Sequence, residues 1–317
     1  MTVFNNTLYF IADDDRYGRE LIKLDVNTGR TRIVKDITST YKSSNPVILT
    51  IFNDSLYFTL TDRYGKTQLW KETNTGTTEQ VRGISSSDSY NFSNLTIFNN
   101  SLYFSTTDDD NRTYLWKTND LGDVEKVKAS SSDFYNPSNF TIVNDTLYFT
   151  TTDKYDNQTY FWKTNSTDVT QGVERVNGIN PNSYNTSNFT IVNDTLYFTI
   201  TDFNGVQLWR INNDNGLGEP VRNIQSNSSE ISNFTFFNNT LYFTAADRNN
   251  GFRLYEINEN GDAKQVRGTS TELGFSNFTV ANGHLFYVAN NSELWQIDET
   301  VYARRVSGVD SRSSSIS

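Results

Sequence analysis

Short apolar runs separated by Asn-rich pairs recur along the whole chain. The tripeptide Leu-Tyr-Phe begins at Leu8, Leu56, Leu102, Leu147, Leu196 and Leu241, and the variant Leu-Phe-Tyr begins at Leu285. Successive copies lie 44 to 49 residues apart. Seven copies at this period are typical of a β-propeller or a solenoid.

The copy at 187–224 shows the pattern of one unit. Its apolar positions predict four strands, near 189–192, 196–201, 208–209 and 220–224. Asn193 and Asp194 form a two-residue turn between the first two strands, because both residue types tolerate positive φ. No segment carries a sustained helical period. Four antiparallel strands per unit predict a propeller blade.

The fold class follows from this unit. Apolar residues lie on both faces of the first two strands, as a sheet covered on both sides requires. We predict an all-β, seven-bladed β-propeller with four antiparallel strands per blade, forming a single domain over 1–317. The predicted blades cover 1–42, 43–91, 92–136, 137–185, 186–230, 231–274 and 275–310, with 311–317 as a linker or tail. The third-strand tryptophans are interpreted as wedges between blades rather than ligand-stacking rings: Trp70, Trp116, Trp162, Trp209 and Trp295.

Composition narrows the classes of function. The chain has 37 acidic and 27 basic residues, a formal charge of -10, and this excess argues against nucleic acid as a partner. There is no cysteine, hence no disulfide, thiol nucleophile or cysteine-based zinc site. No apolar run approaches the length of a membrane span, so no membrane insertion is predicted.

The repeat resembles the ELWxxDGT repeat family. Leu-Tyr-Phe-Thr-x-x-Asp is followed by Leu-Trp and by Asn-x-Gly-Thr, and Glu293-Leu294-Trp295 keeps the first three residues of the motif. The fifth copy departs from it as Gln207-Leu208-Trp209, and the Asp-Gly-Thr part is degraded, for example to 74–77. The resemblance covers essentially the whole chain and implies a module of a bacterial surface protein, with no catalytic residues to transfer.

An aspartate ends the second strand of six copies. These residues are Asp14, Asp62, Asp108, Asp153, Asp202 and Asp247. One interpretation is a side-chain hydrogen bond that shapes the following turn. The other is Ca²⁺ ligation, making calcium the one cofactor considered. We favour the turn, because the spacings vary and no calcium-loop pattern occurs.

The linkers between the early blades carry tyrosine and asparagine. The residues concerned are Tyr41, Tyr90, Asn91, Tyr135, Asn136, Tyr184 and Asn185. The predicted strand order places these linkers at the same end of the sheets as the aspartates. Such aromatic and polar groups could bind a glycan. The alternative, which we favour slightly, is that each tyrosine packs under its linker, because repeated positions usually serve repeated packing.

Two further repeated features have structural interpretations. Basic residues recur in the predicted fourth strand, where charge protects an edge: Lys35, Arg82, Lys128, Arg222 and Arg267. Asn-x-Ser/Thr sequons recur in one register, at Asn94, Asn139, Asn188, Asn233 and Asn277. Turn chemistry or chance can produce such sequons, and glycosylation would require an exporting host.

No arrangement of residues predicts catalysis. His284 is the single histidine of the chain, so no other histidine could serve as the base of a Ser-His-Asp triad. No residue stands out as a nucleophile either. We expect a non-enzymatic extracellular or cell-surface propeller for recognition or adhesion, with a glycan or a surface protein as partner. A purely structural module of a surface layer or large adhesin is the alternative, and a carboxylate-based glycoside hydrolase or lyase is the weaker one.

Overall fold

The computed structural model describes most of the chain. The described residues are 1–38, 42–84, 91–119, 122–127, 136–153, 158–165, 173–179, 185–224, 228–246, 251–269, 272, 274–290, 292–298 and 302–307. All their regular secondary structure is β-strand.

The strands form seven four-stranded sheets, here numbered in chain order. Sheet 1 holds β1 (Thr2–Phe4), β2 (Thr7–Asp14), β3 (Gly18–Asp25) and β4 (Thr31–Ile33). Sheet 2 holds β5 (Val47–Phe52), β6 (Ser55–Thr61), β7 (Thr67–Thr73) and β8 (Thr78–Gln80). Sheet 3 holds β9 (Asn91–Phe98), β10 (Ser101–Thr107), β11 (Thr113–Thr118) and β12 (Val124–Lys126). Sheet 4 holds β13 (Ser138–Val143), β14 (Thr146–Thr152), β15 (Thr159–Asn165) and β16 (Glu174–Arg175).

The remaining three sheets repeat the same order. Sheet 5 holds β17 (Asn185–Val192), β18 (Thr195–Asp202), β19 (Gly205–Ile211) and β20 (Gly218–Pro220). Sheet 6 holds β21 (Glu230–Phe237), β22 (Thr240–Ala246), β23 (Phe252–Ile257) and β24 (Ala263–Gln265). Sheet 7 holds β25 (Phe275–Ala281), β26 (His284–Ala289), β27 (Glu293–Ile297) and β28 (Ala303–Arg305).

In every sheet each strand lies beside the strand that precedes it in the chain. Seven sheets of this kind are the blades of a seven-bladed β-propeller, and the predicted fold class is confirmed. The chain divides into two compact units. Unit 1 comprises Met1–Asp153 and Lys163–Glu174, and unit 2 comprises Lys154–Trp162 and Arg175–Ser317. The single domain over 1–317 stays a prediction.

The hairpin between the first two strands is the same in every sheet. In the fifth, Asn193 and Asp194 have φ of 47° and 59°. Both residues of the corresponding pair have positive φ in all the other sheets as well, at positions 5–6, 53–54, 99–100, 144–145, 238–239 and 282–283. Two left-handed residues in sequence fit the twist of a two-residue β-hairpin. The predicted tight turns are confirmed.

The predicted strand limits were wrong at the two outer strands of the fifth copy. Its first strand starts at Asn185 rather than near Phe189, and its fourth strand ends at Pro220 rather than near Ile224. The first strand is longer because a β-bulge between Ser187 and Thr190 lets the ladder continue past an irregular residue. The fourth strand is shorter because its chain turns toward the next sheet after Val221.

The bulge residue is the asparagine of the recurrent sequon. Asn94, Asn139, Asn188 and Asn233 have φ of 54° to 56°. The Nδ2 of Asn188 donates to Thr199 Oγ1 at 3.2 Å and to the carbonyl of Ile231 in sheet 6 at 3.4 Å. Thr190, the third residue of the sequon, donates to the Asn188 carbonyl. Local hydrogen bonding therefore accounts for the sequon pattern at the bulge.

Apolar clusters join consecutive sheets within each unit. In unit 1, Phe4 and Tyr9 of sheet 1 share a cluster with Leu56 and Phe58 of sheet 2. Similar clusters join sheets 2 and 3 in unit 1, and sheets 5 and 6 and sheets 6 and 7 in unit 2. Trp116 belongs to the second of these clusters. Trp70, Tyr255 and Trp295 also lie in or against such clusters, which confirms the wedge interpretation at these positions.

A backbone hydrogen bond also links consecutive sheets just after the fourth strand. The Val124 amide donates to the Arg82 carbonyl at 2.9 Å, and the Ala303 amide donates to the Arg267 carbonyl at 2.8 Å. The basic residues were predicted to lie in the fourth strand, and that prediction was wrong for Lys35, Arg82, Arg222 and Arg267, which follow it. Lys128 lies outside the described residues.

One carboxylate is buried between sheets 1 and 2. Glu72 is 1% exposed and accepts hydrogen bonds from Tyr9 Oη at 2.9 Å, Lys23 Nζ at 2.6 Å and Thr78 Oγ1 at 3.1 Å. Burial, together with the hydrogen bond to Glu72 and its charge, raises the pKa of the Tyr9 phenol well above its usual value. The network ties the strands β2, β3, β7 and β8 together.

Candidate functional site

The aspartates that end the second strands lie within hydrogen-bonded turns. The Oδ1 of Asp62 accepts from the amides of Tyr64 at 2.8 Å and Lys66 at 3.0 Å. Asp14 and Asp202 likewise accept from amides two residues on, at 2.8 Å and 2.7 Å. These are the contacts of an aspartate that shapes a turn. Asp153 directly follows β14, and Asp247 is outside the described residues.

Asp108 makes the most contacts of these carboxylates. Its Oδ1 accepts from the amides of Asp110 and Arg112, and its Oδ2 from Arg112 Nε at 2.8 Å and from Tyr114 Oη. Burial works to raise the pKa of Asp108, but the hydrogen bonds and the ion pair with Arg112 outweigh it and lower that pKa. The carboxylate is therefore ionised and engaged in its own turn.

The lowered pKa of Asp108 predicts an acid-dependent contribution to stability. Because the folded pKa lies below the ordinary value of 3.8, the stabilisation is present above that value and is lost as pH falls through the folded pKa. We expect Asp108→Asn to destabilise unit 1 by about 1 kcal/mol at neutral pH, with the difference vanishing in acid. Thermal melts across this range measure it. Asp109→Asn, in the same turn, is the control, and an equally pH-dependent loss there would contradict the assignment.

No group of three or more His, Cys, Asp or Glu side chains in the described parts of the chain is placed to hold a metal ion. Calcium binding by the aspartates stays a prediction.

The tyrosines of the predicted glycan-binding linkers, Tyr41, Tyr90, Tyr135 and Tyr184, lie outside the described residues. Their asparagine neighbours do not. Asn91 and Asn185 are the first residues of β9 and β17 and pair with Thr107 and Thr201. Asn136 has φ of 45° and accepts a hydrogen bond from Thr113 Oγ1.

The described linker residues contact the start of the third strand, beside the aspartate turn. In unit 1, the Arg19 amide donates to Ser43 Oγ at 3.0 Å, and the Ser44 amide donates to Glu20 Oε1 at 2.9 Å. In unit 2, Phe252 and Glu272 exchange two backbone hydrogen bonds. Linkers and aspartate turns therefore occupy one end of these sheets, here called the turn end. The hairpins occupy the opposite, hairpin end.

Three turns at the turn end carry an exposed aromatic side chain. Tyr17 is 41% exposed, Tyr64 72% and Phe203 80%. Each lies within three residues after the turn aspartate. Single exposed rings are common on protein surfaces, so what distinguishes these three is their place next to the carboxylates of the aspartate turns. The sequence contains this pattern, and the prediction from the linkers overlooked it.

A cleft of about 380 Å³ opens at the turn end of sheets 1 and 2, within unit 1. Its wall consists of Ile37, Thr38, Asp62, Arg63, Tyr64, Gln68 and Trp70. An indole, a phenol, an amide, a hydroxyl, a carboxylate and a guanidinium therefore face one cavity. Asp62 is the only member of this wall that was a predicted site residue.

The indole N–H of Trp70 is buried and has no hydrogen-bond acceptor. Three of its repeat equivalents have one. Trp116 donates its indole N–H to Thr106 Oγ1, Trp209 donates to Gln207 Oε1, and Trp295 donates to Glu293 Oε2. In sheet 2 the residue two before the tryptophan is Gln68, whose amide contacts Asp62 Oδ2 at 3.4 Å, just as the Gln207 amide contacts Asp202 Oδ2 at 3.5 Å. The two copies differ in that Gln207 Oε1 also accepts from its indole N–H, whereas the Trp70 N–H has no acceptor among the described residues.

A larger cleft, about 840 Å³, lies at the hairpin end of sheets 5 and 6 in unit 2. Its wall includes Arg210, Glu256 and Lys264. Arg210 binds Glu219 at 2.6 Å, and Lys264 binds Glu256 at 2.8 Å. The described cations of this wall are therefore paired with carboxylates, and Asp214 and Glu259 add further carboxylates to it.

Among the residues described, no helix is long and apolar enough to cross a membrane.

Comparison with solved structures shows the fold alone. The chain is similar to dipeptidyl peptidase 4 of Porphyromonas gingivalis, with a TM-score of 0.55 and 10% identity over 96% of this chain and 50% of that one. It is also similar to puromycin hydrolase (TM-score 0.42, 11% identity, 98% and 54% covered). The β-propeller domain of the Trilobed protease from Pyrococcus furiosus gives a TM-score of 0.38 at 10% identity, with 98% and 94% covered. This chain spans about half the length of the first two.

No family model matches the chain, and no curated protein matches its sequence.

Proposed function

We propose that this propeller is a non-enzymatic recognition module that binds a glycan in the turn-end cleft of sheets 1 and 2. The unpaired indole N–H of Trp70 carries the proposal. A buried donor without an acceptor costs about 1–3 kcal/mol, so an oxygen that reaches it is bound favourably. Sugars offer hydroxyl oxygens for such a donor and a carbon–hydrogen face for an aromatic ring such as Tyr64.

The cleft has room for part of a saccharide rather than for a large ligand. At about 380 Å³ it is at the lower end of the range of small-molecule sites. Because the indole N–H is buried, a ligand oxygen reaches it only when the side chains around it move. Lys35 lies against the indole, with Nζ 5.4 Å from the centre of the ring. Lysine is long and flexible, so a shift of this side chain costs little.

Screening on a glycan array, followed by calorimetry with the best ligand, tests the proposal. We expect Trp70→Phe to weaken binding about fivefold or more, because it removes the N–H and keeps a ring. Trp209→Phe is the matched control, since that N–H already bonds Gln207. Equal effects of the two substitutions, or an array without any ligand, would contradict the proposal. An empty array would favour the purely structural module.

The absence of catalysis belongs to the same proposal. We expect a bound glycan to be recovered unchanged after prolonged incubation, as judged by mass spectrometry. Shortened or unsaturated products would favour the hydrolase or lyase alternative.

We also propose that the repeats are a degenerate form of the ELWxxDGT type and that the module acts outside the cell or at its surface. Glu293-Leu294-Trp295 and the recurring Leu-Trp pairs support the first point. The second rests on that resemblance.

A further inference from the structure

The turn-end cleft combines a carboxylate that is already engaged with cations that no described carboxylate engages, and this imbalance deepens the proposed function. Among the described residues of the wall the only carboxylate, Asp62, already receives two backbone amides at Oδ1 and the Gln68 amide at Oδ2. The hydroxyl of Thr38 contacts Asp36 Oδ1 and the carbonyl of Lys42. The anionic acceptor of the cleft is therefore engaged within the protein, and the neutral side-chain oxygens of Gln68 and Tyr64 are the acceptors that face a ligand.

The cations at the cleft are not engaged by carboxylates. Lys35 lies over the indole of Trp70, and the guanidinium of Arg63 lies 4.8 Å from the centre of the Tyr64 ring. No ion pair of either residue occurs among the described residues. Elsewhere in unit 1, by contrast, Lys71 pairs with Glu79 and Lys117 with Glu125.

We infer that the ligand of this cleft is an acidic saccharide. An oxyanion on the sugar, either carboxylate or sulfate, would accept from Lys35 and Arg63, and an adjacent oxygen from the N–H of Trp70. Charge-assisted hydrogen bonds of this kind are about twice as strong as neutral ones. The exposed face of Tyr64 is then available to the sugar ring.

The net charge of -10 does not oppose this binding at physiological salt. Interactions between exposed charges are largely screened beyond about 8 Å in 0.15 M salt. Distant carboxylates therefore contribute little, and the charges that act on a ligand in the cleft are those of Lys35, Arg63 and the Asp62 carboxylate, which three protein donors already engage. Affinity for the acidic saccharide should fall as salt is raised further.

Calorimetry on the full chain tests whether affinity depends on the charge of the ligand or on its sugar rings alone. The probes are tetragalacturonate, a sulfated galactose tetrasaccharide and the neutral galactose tetrasaccharide. We expect at least one acidic probe to bind about tenfold more tightly than the neutral one, a typical gain for charge-assisted contacts. The carboxylate and sulfate probes show which oxyanion is preferred.

Substitutions test whether Lys35 and Arg63 cause the preference for the acidic probe. Lys35→Gln combined with Arg63→Gln should remove the preference for the acidic probe, so that the acidic and neutral probes bind the variant with the same affinity. Arg222→Gln is the matched control, because Arg222 is the exposed repeat equivalent of Lys35 in sheet 5, and it should change nothing. Unchanged melting temperatures verify that the variants fold.

The failures are distinguishable. Equal affinity for acidic and neutral probes overturns the acidic ligand and leaves glycan binding intact. An equal loss in the Arg222→Gln variant also overturns it, because the attraction would then be spread over the surface. If none of the three probes and no glycan on the array binds, both this inference and the proposed function fail.

Discussion

Gly83→Ala is expected to destabilise unit 1 by about 3 kcal/mol or more. A Cβ at Gly83 would lie 1.8 Å from the carbonyl oxygen of Val124, and the residue has φ of +105°. Neither backbone can withdraw freely, because the preceding residue, Arg82, accepts the hydrogen bond from the Val124 amide. Steric overlap and backbone strain therefore add at one position.

Urea titration measures this loss against a matched glycine. Gly76 has φ of +81°, but a Cβ there would meet nothing within 4 Å. Gly76→Ala therefore reports the cost of the left-handed backbone alone, about 1 kcal/mol. Gly268→Ala repeats the test in unit 2, where the Cβ would lie 2.2 Å from the Ala303 carbonyl oxygen. Similar losses at Gly76 and Gly83 would show that the contact between sheets is not tight.

Glu72→Ala is expected to cost about 3 kcal/mol, because it leaves an ammonium group and two hydroxyl groups without their acceptor. Glu72 is almost fully buried, whereas Lys23 keeps 22% of its side chain exposed and can regain some water. For that reason we place the loss at the lower end of the range for a broken buried ion pair.

The comparison for Glu72 is an exposed pair in the same unit. Glu125 binds Lys117 at 3.1 Å, but 53% of its side chain is exposed. Glu125→Ala should therefore cost less than about 1 kcal/mol. Tyr9→Phe gives a second reading of the buried network and should cost less than Glu72→Ala, because it removes only one donor. Equal losses at Glu72 and Glu125 would contradict the importance of burial.

The sequence could predict the fold because each repeat encodes its own local geometry. The Asn-Asn and Asn-Asp pairs specify left-handed turns, and Leu-Tyr-Phe places consecutive side chains on opposite faces of a strand. The limits of the fourth strand could not be predicted. They depend on the hydrogen bond that the Arg82 carbonyl accepts from the Val124 amide in the next sheet, a partner about 40 residues away in the chain.

The residues of the candidate site were harder to predict from the sequence than the fold was. Asp62 was among the predicted residues because it recurs, but Trp70 matters because its N–H departs from its equivalents. Gln68 and Gln207 are the same residue type at the same repeat position, and the amide of each contacts its turn aspartate. Only the structure shows that Gln207 also accepts from its indole N–H while the Trp70 N–H has no acceptor in the described part of the chain, because this depends on side-chain rotation.

The order of strands within each sheet also has a kinetic consequence. Every strand pairs with its predecessor in the chain, so the first contacts of folding close short loops, and their entropic cost is small. Contacts of this local kind favour rapid folding. The apolar clusters then join a sheet only to its neighbour in the chain, so structure can spread from whichever sheet forms first. A substitution such as Gly83→Ala should therefore delay the docking of one pair of sheets while distant hairpins form at their usual rate.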